Sequence, residues 1–358
     1  MKLDRRDIEL LRLAGRYRQI HLGVLGKLSF AGIEDEISLL SAAGLIKSSR
    51  DGKYMRLSVA GYEMLRRQGH DYGSGSDKPY TNASALRRRL EVASCALTAL
   101  RAGIDVLPDN IDALSIQPSF FPAFGLRTGE ANLMNAASCV GFGHWGDKGY
   151  MLQYVGTDSS GMYMANELRH FHNLSSIFSG GLNTPLAMIF AGESYIDIHK
   201  QLNIKVPSKR HGKHGFYDFW DVYRKSDMPV HLLSCDETGA MQLAIMRQPG
   251  YIAKIAGTAF GADWLPCDEE IPEADGHVRG NPLVIAVDME ARRVNKVCES
   301  ARCFGRSEVM VAALKGQLDG FYKHALPRDG FIKLLSISRP VIDDAFGKGF
   351  SLHSMEGA

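Results

Sequence analysis

Residues 42–65 read AAGLIKSSRDGKYMRLSVAGYEML. Two short segments that alternate polar and apolar residues flank Asp51-Gly52, a dipeptide that favours the tight turn of a β-hairpin. Gly44 follows a helical pattern, at the place where a helix end favours a residue with positive φ. The run therefore predicts the end of a helix, a two-stranded ribbon and, over residues 60–68, another helix.

Three amphipathic helices are predicted upstream of this ribbon. Apolar residues recur at helical spacing from Asp4 to Arg16, with Asp4 as the N-cap, and again over 21–28 and 33–43. Three helices followed by a ribbon is the order of a winged helix-turn-helix, and residues 42–65 resemble the wing region of many bacterial winged-helix proteins. That resemblance implies a third helix that enters the major groove of DNA and a wing that follows the DNA backbone.

The charge of the chain is unevenly distributed, although the formal net charge is only +2. Residues 1–101 carry 18 Lys and Arg against 11 Asp and Glu, whereas the remainder carries 24 against 29. A basic N-terminal part favours a polyanionic partner, most simply double-stranded DNA, with phosphate contacts from the cations and neutral polar contacts from serines. The residues expected to contact DNA are Arg5, Arg6, Arg12, Arg16, Arg18, Ser38, Ser41, Lys47, Arg50, Lys53, Arg56, Arg87 and Arg88.

The start of the third helix argues against simple DNA recognition. Glu34, Asp35 and Glu36 open that helix, and although carboxylates stabilise a helix N-terminus, they repel phosphates. Either the wing and the first helix supply most of the DNA contact, or the N-terminal part is a protein-interaction module. Both interpretations stay open on the sequence alone.

Composition divides the chain into four parts. Residues 1–68, called the head here, precede a Gly- and Ser-rich flexible linker at 69–82, an α/β core domain at 83–203 and a C-terminal extension at 204–358. The last two parts form the body, an α+β fold with a central sheet, in which 204–280 allows no assignment. Helices are predicted at 83–101, 162–178, 194–202, 291–301 and 307–322, and strands at 104–107, 113–116, 138–142, 150–155, 186–190, 283–287 and 331–337.

A second resemblance is carried by residues 137–176, ASCVGFGHWGDKGYMLQYVGTDSSGMYMANELRHFHNLSS. This stretch resembles a segment of the replication-relaxation proteins of Gram-positive mobile elements. Those proteins pair an N-terminal winged helix with a body like the restriction-endonuclease, or PD-(D/E)xK, core. The resemblance implies a role in mobilising a plasmid or conjugative element, or in regulating such an element.

The residues of the body favour a protein without catalytic activity. A nuclease with that core requires carboxylates that hold a divalent metal and a lysine near the attacking water. Asp109 could supply one carboxylate, but the strand that should carry an acid-x-lysine pair reads Gln153-Tyr154-Val155, and Glu167 lies on a later helix. We therefore expect no catalytic residue, no metal site and no cofactor.

These observations predict a sequence-specific double-stranded DNA-binding protein that regulates transcription of a mobile genetic element. Its body would form a homodimer through the helices at 83–101 and 307–322, or would sense a protein or small-molecule effector. The alternatives are a mobilisation accessory or metal-dependent nickase, and a protein-interaction adaptor. Six cysteines without a CxxC motif, and no long apolar run, predict a cytoplasmic protein that does not contact a membrane.

Overall fold

The computed structural model describes residues 3–73, 75–80, 82–108, 117–126, 139–156, 186–208, 215–217, 229–266 and 270–353. Over these residues the protein has the mixed α+β class that the sequence predicts, with one three-stranded sheet, two five-stranded sheets and a two-stranded ribbon. Within the same ranges, no helix has both the length and the apolar composition that a bilayer crossing requires.

The first helix begins where the sequence predicts it. Helix α1 (Arg5–Tyr17) is capped by Asp4, whose carboxylate accepts a hydrogen bond from the Asp7 amide at 2.8 Å. The Asp7 carboxylate accepts in turn from the Asp4 amide at 3.0 Å, which completes a capping box. The apolar face of the helix, which includes Leu10 and Leu13, is fully buried.

The predicted ribbon is present, and a third strand widens it. The remaining elements of the head are β1 (Ile20–His21), α2 (Leu22–Lys27), α3 (Ile33–Ala42), β2 (Ile46–Ser48), β3 (Tyr54–Leu57) and α4 (Val59–Arg67). The three strands are antiparallel and lie in the order β1-β3-β2. Gly44 and Gly52 have φ angles of 71° and 66°, as the helix end and the hairpin turn require.

Helix α4 packs closely against the chain that enters the hairpin. It begins after Ser58, whose hydroxyl accepts a hydrogen bond from the Gly61 amide at 3.0 Å. A Cβ atom on Gly61 would lie 2.1 Å from the carbonyl oxygen of Leu45. Because only glycine allows this approach, Gly61 fixes the base of the hairpin against the helix.

A 19-residue helix joins the head to the body. Helix α5 (Ala83–Arg101) has the bounds that the sequence predicts and is capped by Asn82. Its residues from Val92 to Leu100 are all buried, and the helix contacts α1, α2 and β1 on one side and the body on the other. The second half of α5 therefore does not offer the dimer surface that we expected of this helix.

The first five-stranded sheet mixes antiparallel and parallel strands. Its members are β4 (Ser119–Pro122), β5 (Cys139–Trp145), β6 (Lys148–Tyr154), β7 (Leu186–Gly192) and β10 (Val230–Ser234). Strands β4, β5 and β6 form an antiparallel meander, and β7 and β10 continue from β6 in parallel. Because β10 lies beyond residue 203, this sheet extends past the end that we predicted for the core domain. Strands β8 (Val206–Ser208) and β9 (Gly215–Tyr217) form the separate two-stranded ribbon.

The strand predicted at 104–107 is wrong. Asp105 makes a single bridge, to Ser119, and its carboxylate accepts a hydrogen bond from the Leu107 amide at 2.9 Å. This local bond uses the Leu107 amide, which a continued strand would need for pairing. The strand predicted at 113–116 and the helix predicted at 162–178 lie outside the described residues.

The second five-stranded sheet lies entirely in the C-terminal part of the chain. In spatial order its strands are β11 (Trp264–Leu265), β12 (His277–Val278), β13 (Asn281–Ile285), β14 (Val309–Leu314) and β15 (Ile332–Ile337). The last three are parallel, and β13 and β15 confirm two predicted strands. The helices of the body are α6 (Tyr195–Leu202), α7 (Glu237–Met246), α8 (Tyr251–Phe260), α9 (Ala291–Cys303) and α10 (Arg339–Phe346), with a helical segment at 315–325 that contains a π turn, Leu318–Tyr322.

The helix predicted at 307–322 is wrong over its first half. Residues Val309 to Leu314 form β14, and all six are buried. A strand that is buried on both faces shows no polar alternation, so its sequence, VMVAAL, cannot be distinguished from a buried helix by periodicity. The second element that we expected at a dimer interface is therefore largely an interior strand, and helical structure begins only at Lys315.

Candidate nucleic-acid interface

Helix α3 presents a polar face to solvent. Its apolar residues Ile33 and Leu40 are buried in the core of the head. The Ser38 hydroxyl donates to the Glu34 carbonyl oxygen at 2.8 Å, so its proton is used within the helix. The exposed side chains of the helix include Glu34, Asp35, Ser38, Leu39 and Ser41.

The hairpin carries three exposed cations. Lys47 lies on β2, Arg50 lies in the turn, and Lys53 lies just before β3. The turn between them is closed by the Ser49 hydroxyl, which donates to the Asp51 carboxylate at 2.5 Å and accepts from the Lys53 amide at 3.1 Å. The Lys53 ammonium is 3.7 Å from Asp51, an exposed ion pair of the kind that contributes little and exchanges readily with other anions. The turn thus holds its cations in solvent on a short, well-bonded ribbon.

Two arginines predicted to contact DNA bind the linker instead. The Arg12 guanidinium donates to the Tyr72 hydroxyl at 3.3 Å. The Arg18 guanidinium donates to the Tyr80 hydroxyl at 3.1 Å and lies over the same ring at 5.5 Å from its centroid. The linker that composition predicts to be flexible therefore contacts the head at two points.

Arg16 and Arg56 also contact other parts of the protein. The Arg16 guanidinium donates to the Pro108 carbonyl oxygen at 3.3 Å and lies over the Phe121 ring. The Arg56 guanidinium donates to the backbone carbonyl of Asp77. These contacts hold both guanidinium groups against other parts of the protein.

The other predicted cations lie outside the hairpin. Arg5 is exposed at the start of α1, whereas Arg88 is half-buried on α5. On the same helix, Arg87 forms an ion pair with Glu91 at 3.7 Å. These three arginines lie on α1 and α5, so none of them belongs to α3 or to the hairpin.

Arg6 connects α1 to α3 within an acidic cluster. Its guanidinium lies 3.5 Å from the Glu36 carboxylate and donates to the Ala31 carbonyl. The carboxylates of Asp4, Asp7 and Glu36 converge, with one oxygen of each within 4.8 Å of the others. A hydrogen bond with Asp7, burial and the charge of Asp7 raise the pKa of Glu36 to about 7. A proton shared by Glu36 and Asp7 and the positive charge of Arg6 both reduce the repulsion among the three carboxylates.

We expect Glu36→Gln to remove a pH dependence of stability. Because the pKa of Glu36 rises from 4.5 to about 7 on folding, its contribution is complete below pH 4.5 and is lost as the pH rises through 7. The urea midpoint of the wild-type protein should therefore fall from pH 5 to pH 8 by more than that of Glu36→Gln. The matched control Glu63→Gln, on an exposed side chain of α4, should retain the wild-type slope. Equal slopes for wild type and Glu36→Gln would contradict the shared proton.

A second polar cluster, which no sequence pattern predicts, lies buried between the two five-stranded sheets. Arg293 on α9 lies 2.5 Å from an oxygen of Asp275 and 3.3 Å from one of Asp288. The His231 Nδ1 atom on β10 donates to the Asp288 carbonyl oxygen at 2.9 Å. Burial opposes ionisation of Asp288, but the attraction of Arg293 and His231 outweighs it and lowers the pKa of Asp288. Because its members come from separate stretches of chain, no local pattern reveals this cluster.

Five of the residues predicted to contact DNA are exposed on two consecutive elements of the head, which together form the α3–hairpin surface. They are Ser38, Ser41, Lys47, Arg50 and Lys53. Gln153 and Tyr154, which stand where a nuclease would carry its acid-x-lysine pair, lie on β6. Asp109 and Glu167 lie outside the described residues. Comparison of the chain with protein-family models, with curated proteins and with solved structures found no match.

Proposed function

We propose that the head is a winged helix-turn-helix that binds double-stranded DNA. The observation that carries this proposal is the hairpin between β2 and β3, which holds exposed Lys47, Arg50 and Lys53 next to an exposed α3. The order helix, strand, two helices and hairpin, with strands arranged β1-β3-β2, supports the proposal. In this arrangement the hairpin is the wing, and α3 is the helix that faces the major groove.

The wing supplies most of the affinity in this proposal. Its three cations contact phosphates, which give binding energy without sequence information. Ser41 and the acceptor oxygen of Ser38 are the neutral groups on α3 that face bases. Glu34 and Asp35 limit how closely the first turn of α3 approaches the backbone. We therefore expect binding that depends strongly on salt and discriminates modestly between sequences.

For the whole chain we propose a cytoplasmic transcriptional regulator of a mobile genetic element that acts as a homodimer. The resemblance of residues 137–176 to replication-relaxation proteins supports that setting. The body is then a non-catalytic relative of the PD-(D/E)xK core, because Gln153-Tyr154-Val155 stands where an acid-x-lysine pair would be required. A dimer supplies two heads for an inverted repeat, which one head cannot read alone.

A second candidate function is favoured by one observation on α3. Leu39 is 59% exposed on the same helix as the exposed Glu34 and Asp35, an apolar side chain with acidic neighbours that a basic protein partner would cover. In that case the chain is a protein-interaction adaptor, and α3 does not face DNA.

The double substitution Glu34→Gln and Asp35→Asn tests the proposal and separates these candidates. If α3 faces phosphates, the loss of two negative charges should strengthen binding to a duplex by roughly 3- to 10-fold at about 0.1 M salt. The measurement is fluorescence anisotropy of a labelled duplex with the full-length protein. The matched control is Glu63→Gln on α4, which should leave the affinity unchanged. If the wild type binds and the double variant binds equally, α3 lies away from DNA and the adaptor interpretation gains. If the wild type does not bind DNA, the proposed function is wrong.

A further inference from the structure

A cleft of about 700 Å³ lies at the C-terminal side of the body, away from the head. Helix α6 ends at one side of it, α9 forms one wall, and the helical segment 315–325 with the start of β15 forms the other. Its volume lies within the range of small-molecule sites.

The wall formed by α9 is polar because of helical spacing. Arg292, Asn295, Lys296, Glu299 and Arg302 recur at intervals of three and four residues, so they lie on one face of the helix. The opposite face buries Val294, Val297 and Ala301 in the core. All five polar residues line the cleft.

Two imidazoles come together on the other side of the cleft. His199 on α6 and His324 in the helical segment have ring centroids 6.0 Å apart, and the His199 ring meets Phe321 edge-on at 5.6 Å. Burial and the neighbouring His324 lower the pKa of His199, so at neutral pH its ring is uncharged and offers one donor and one acceptor. The amide of Asn203 donates to the His199 carbonyl at 2.7 Å, which fixes this end of α6.

The π turn Leu318–Tyr322 shapes the floor of the cleft. Phe321 and Tyr322 are consecutive and both buried beneath it, with ring centroids 5.5 Å apart. A π turn is a rare and irregular piece of helix that is frequent at functional sites. Here it brings two neighbouring aromatic rings and His324 to the same cavity.

The charges around the cleft favour an anion. Arg292, Lys296 and Arg302 line it with one carboxylate, Glu299. The Arg302 guanidinium is held in place by the Asp329 carboxylate, 2.7 Å away. When Asp329 is counted with the three cations and Glu299, the net charge is still +1. Arginine, lysine and asparagine side chains on one helix face provide several N–H donors to the same cleft, and phosphate groups bind such donors well.

An apolar part of the lining comes from Leu326, Pro327 and Ile332. These residues also line a neighbouring groove of about 480 Å³, together with Leu334, Lys323 and Arg328. A ligand that fits both the cationic and the apolar lining therefore has an anionic group and a ring or other compact body. Divalent cations fit less well, because three cationic side chains face the same cavity.

We propose that this cleft binds a small phosphorylated ring compound, a nucleotide or a sugar phosphate. The phosphate lies against Arg292 and Lys296, and the ring lies towards Leu326 and Pro327. This proposal stands independently of DNA binding by the head, because no residue of the head lines the cleft.

Isothermal titration calorimetry on the full-length protein tests the proposal with adenosine 5′-monophosphate, ribose 5-phosphate and adenosine as probes. We expect at least one phosphorylated probe to bind with a Kd of about 1 mM or tighter, and adenosine to bind at least about 10-fold more weakly than adenosine monophosphate. Binding of both phosphorylated probes assigns a general phosphate site, and binding of the monophosphate alone assigns a nucleotide site.

Variants locate the binding. The double substitution Arg292→Gln and Lys296→Gln should weaken binding of the phosphorylated probe at least about 10-fold, because two charge-assisted contacts are lost. Lys333→Gln, an exposed lysine on β15 that does not line the cleft, should bind as the wild type does. An unchanged urea midpoint of the double variant shows that it is folded. Three results would overturn the proposal: no binding of either phosphorylated probe, measurable binding of adenosine as tight as that of its monophosphate, or unchanged binding of the phosphorylated probe by the double variant.

Discussion

Replacing both Arg50 and Lys53 with glutamine is expected to weaken binding to duplex DNA by roughly 10- to 100-fold at about 0.1 M salt. Each phosphate contact releases counterions and adds about 0.9 to the slope of log affinity against log salt concentration. The loss of two contacts should therefore reduce that slope by about 2. The geometry supports this size of effect, because both side chains are exposed in the hairpin turn and neither is buried against the body.

The measurement is fluorescence anisotropy of a labelled duplex at several NaCl concentrations, with wild type and variant as full-length chains. The matched control is Arg66→Gln with Arg67→Gln. Both arginines are exposed at the end of α4, the helix that follows β3, whereas the hairpin turn precedes β3. The control removes the same charge from the head and should retain most of the affinity and the slope. If the control loses as much DNA affinity as the hairpin variant, the affinity comes from the overall charge of the head and not from the wing.

Replacing Arg293 with alanine is expected to lower the free energy of unfolding by about 3–5 kcal/mol. The substitution leaves two buried carboxylates, those of Asp275 and Asp288, without their shared cation. Burial raises the pKa of Asp275 in spite of Arg293, whereas Asp288 is kept ionised by Arg293 and His231. An unpaired buried charge costs more than the pair contributes, which is why the loss is large.

The effect extends to the contact between the two large sheets. The Asp288 carbonyl accepts from His231 on β10 and, at 3.2 Å, from Gln242 on α7. The Gln242 side-chain amide also donates to the Leu232 carbonyl oxygen at 2.9 Å, so one side chain joins β10 to the helical turn, Ala286–Asp288, that follows β13. The loss of Arg293 should therefore weaken the packing of the sheets as well as a local ion pair.

Urea unfolding of the full-length protein measures this prediction. The matched control is Arg279→Ala, whose partner Asp263 lies 2.7 Å away in a pair that is 79% and 50% exposed. An exposed pair of this kind contributes less than about 1 kcal/mol. Arg293→Lys keeps the positive charge and loses the bidentate geometry. Its loss of unfolding free energy should lie between those of Arg293→Ala and Arg279→Ala. A loss for Arg293→Ala no greater than that of the control would show that the buried cluster is not held by this cation.

Local signals are sufficient to predict the helices and the hairpin of the head, but not the short strand β1. Asp4 marks the start of α1 through a hydrogen bond within its own turn, and Gly44 and Gly52 mark a helix end and a hairpin turn through positive φ. Helix α5 also has the bounds that the sequence predicts. Each of these features depends on neighbours in the sequence, so no tertiary information was needed.

The failures have tertiary causes. Val309 to Leu314 form a strand because parallel neighbours cover both edges, which the apolar run itself does not reveal. Composition also does not show which way a basic side chain points or what it contacts. Arg6, Arg12, Arg16 and Arg18 look like phosphate contacts in the sequence, yet each is bound to another part of the protein. The cleft residues come from three separated segments, so their common charge could be recognised only after folding.

The most direct test of the central claim is a selection of short duplexes from a random-sequence pool by the purified full-length protein, at about 0.1 M salt with and without magnesium. We expect the protein to retain intact duplexes in both conditions, retention to fall steeply as salt rises, and repeated rounds to enrich an inverted repeat. Strand breaks that appear only with magnesium would contradict the non-catalytic body and favour a nickase. No retention of DNA in either condition would contradict DNA binding by the α3–hairpin surface.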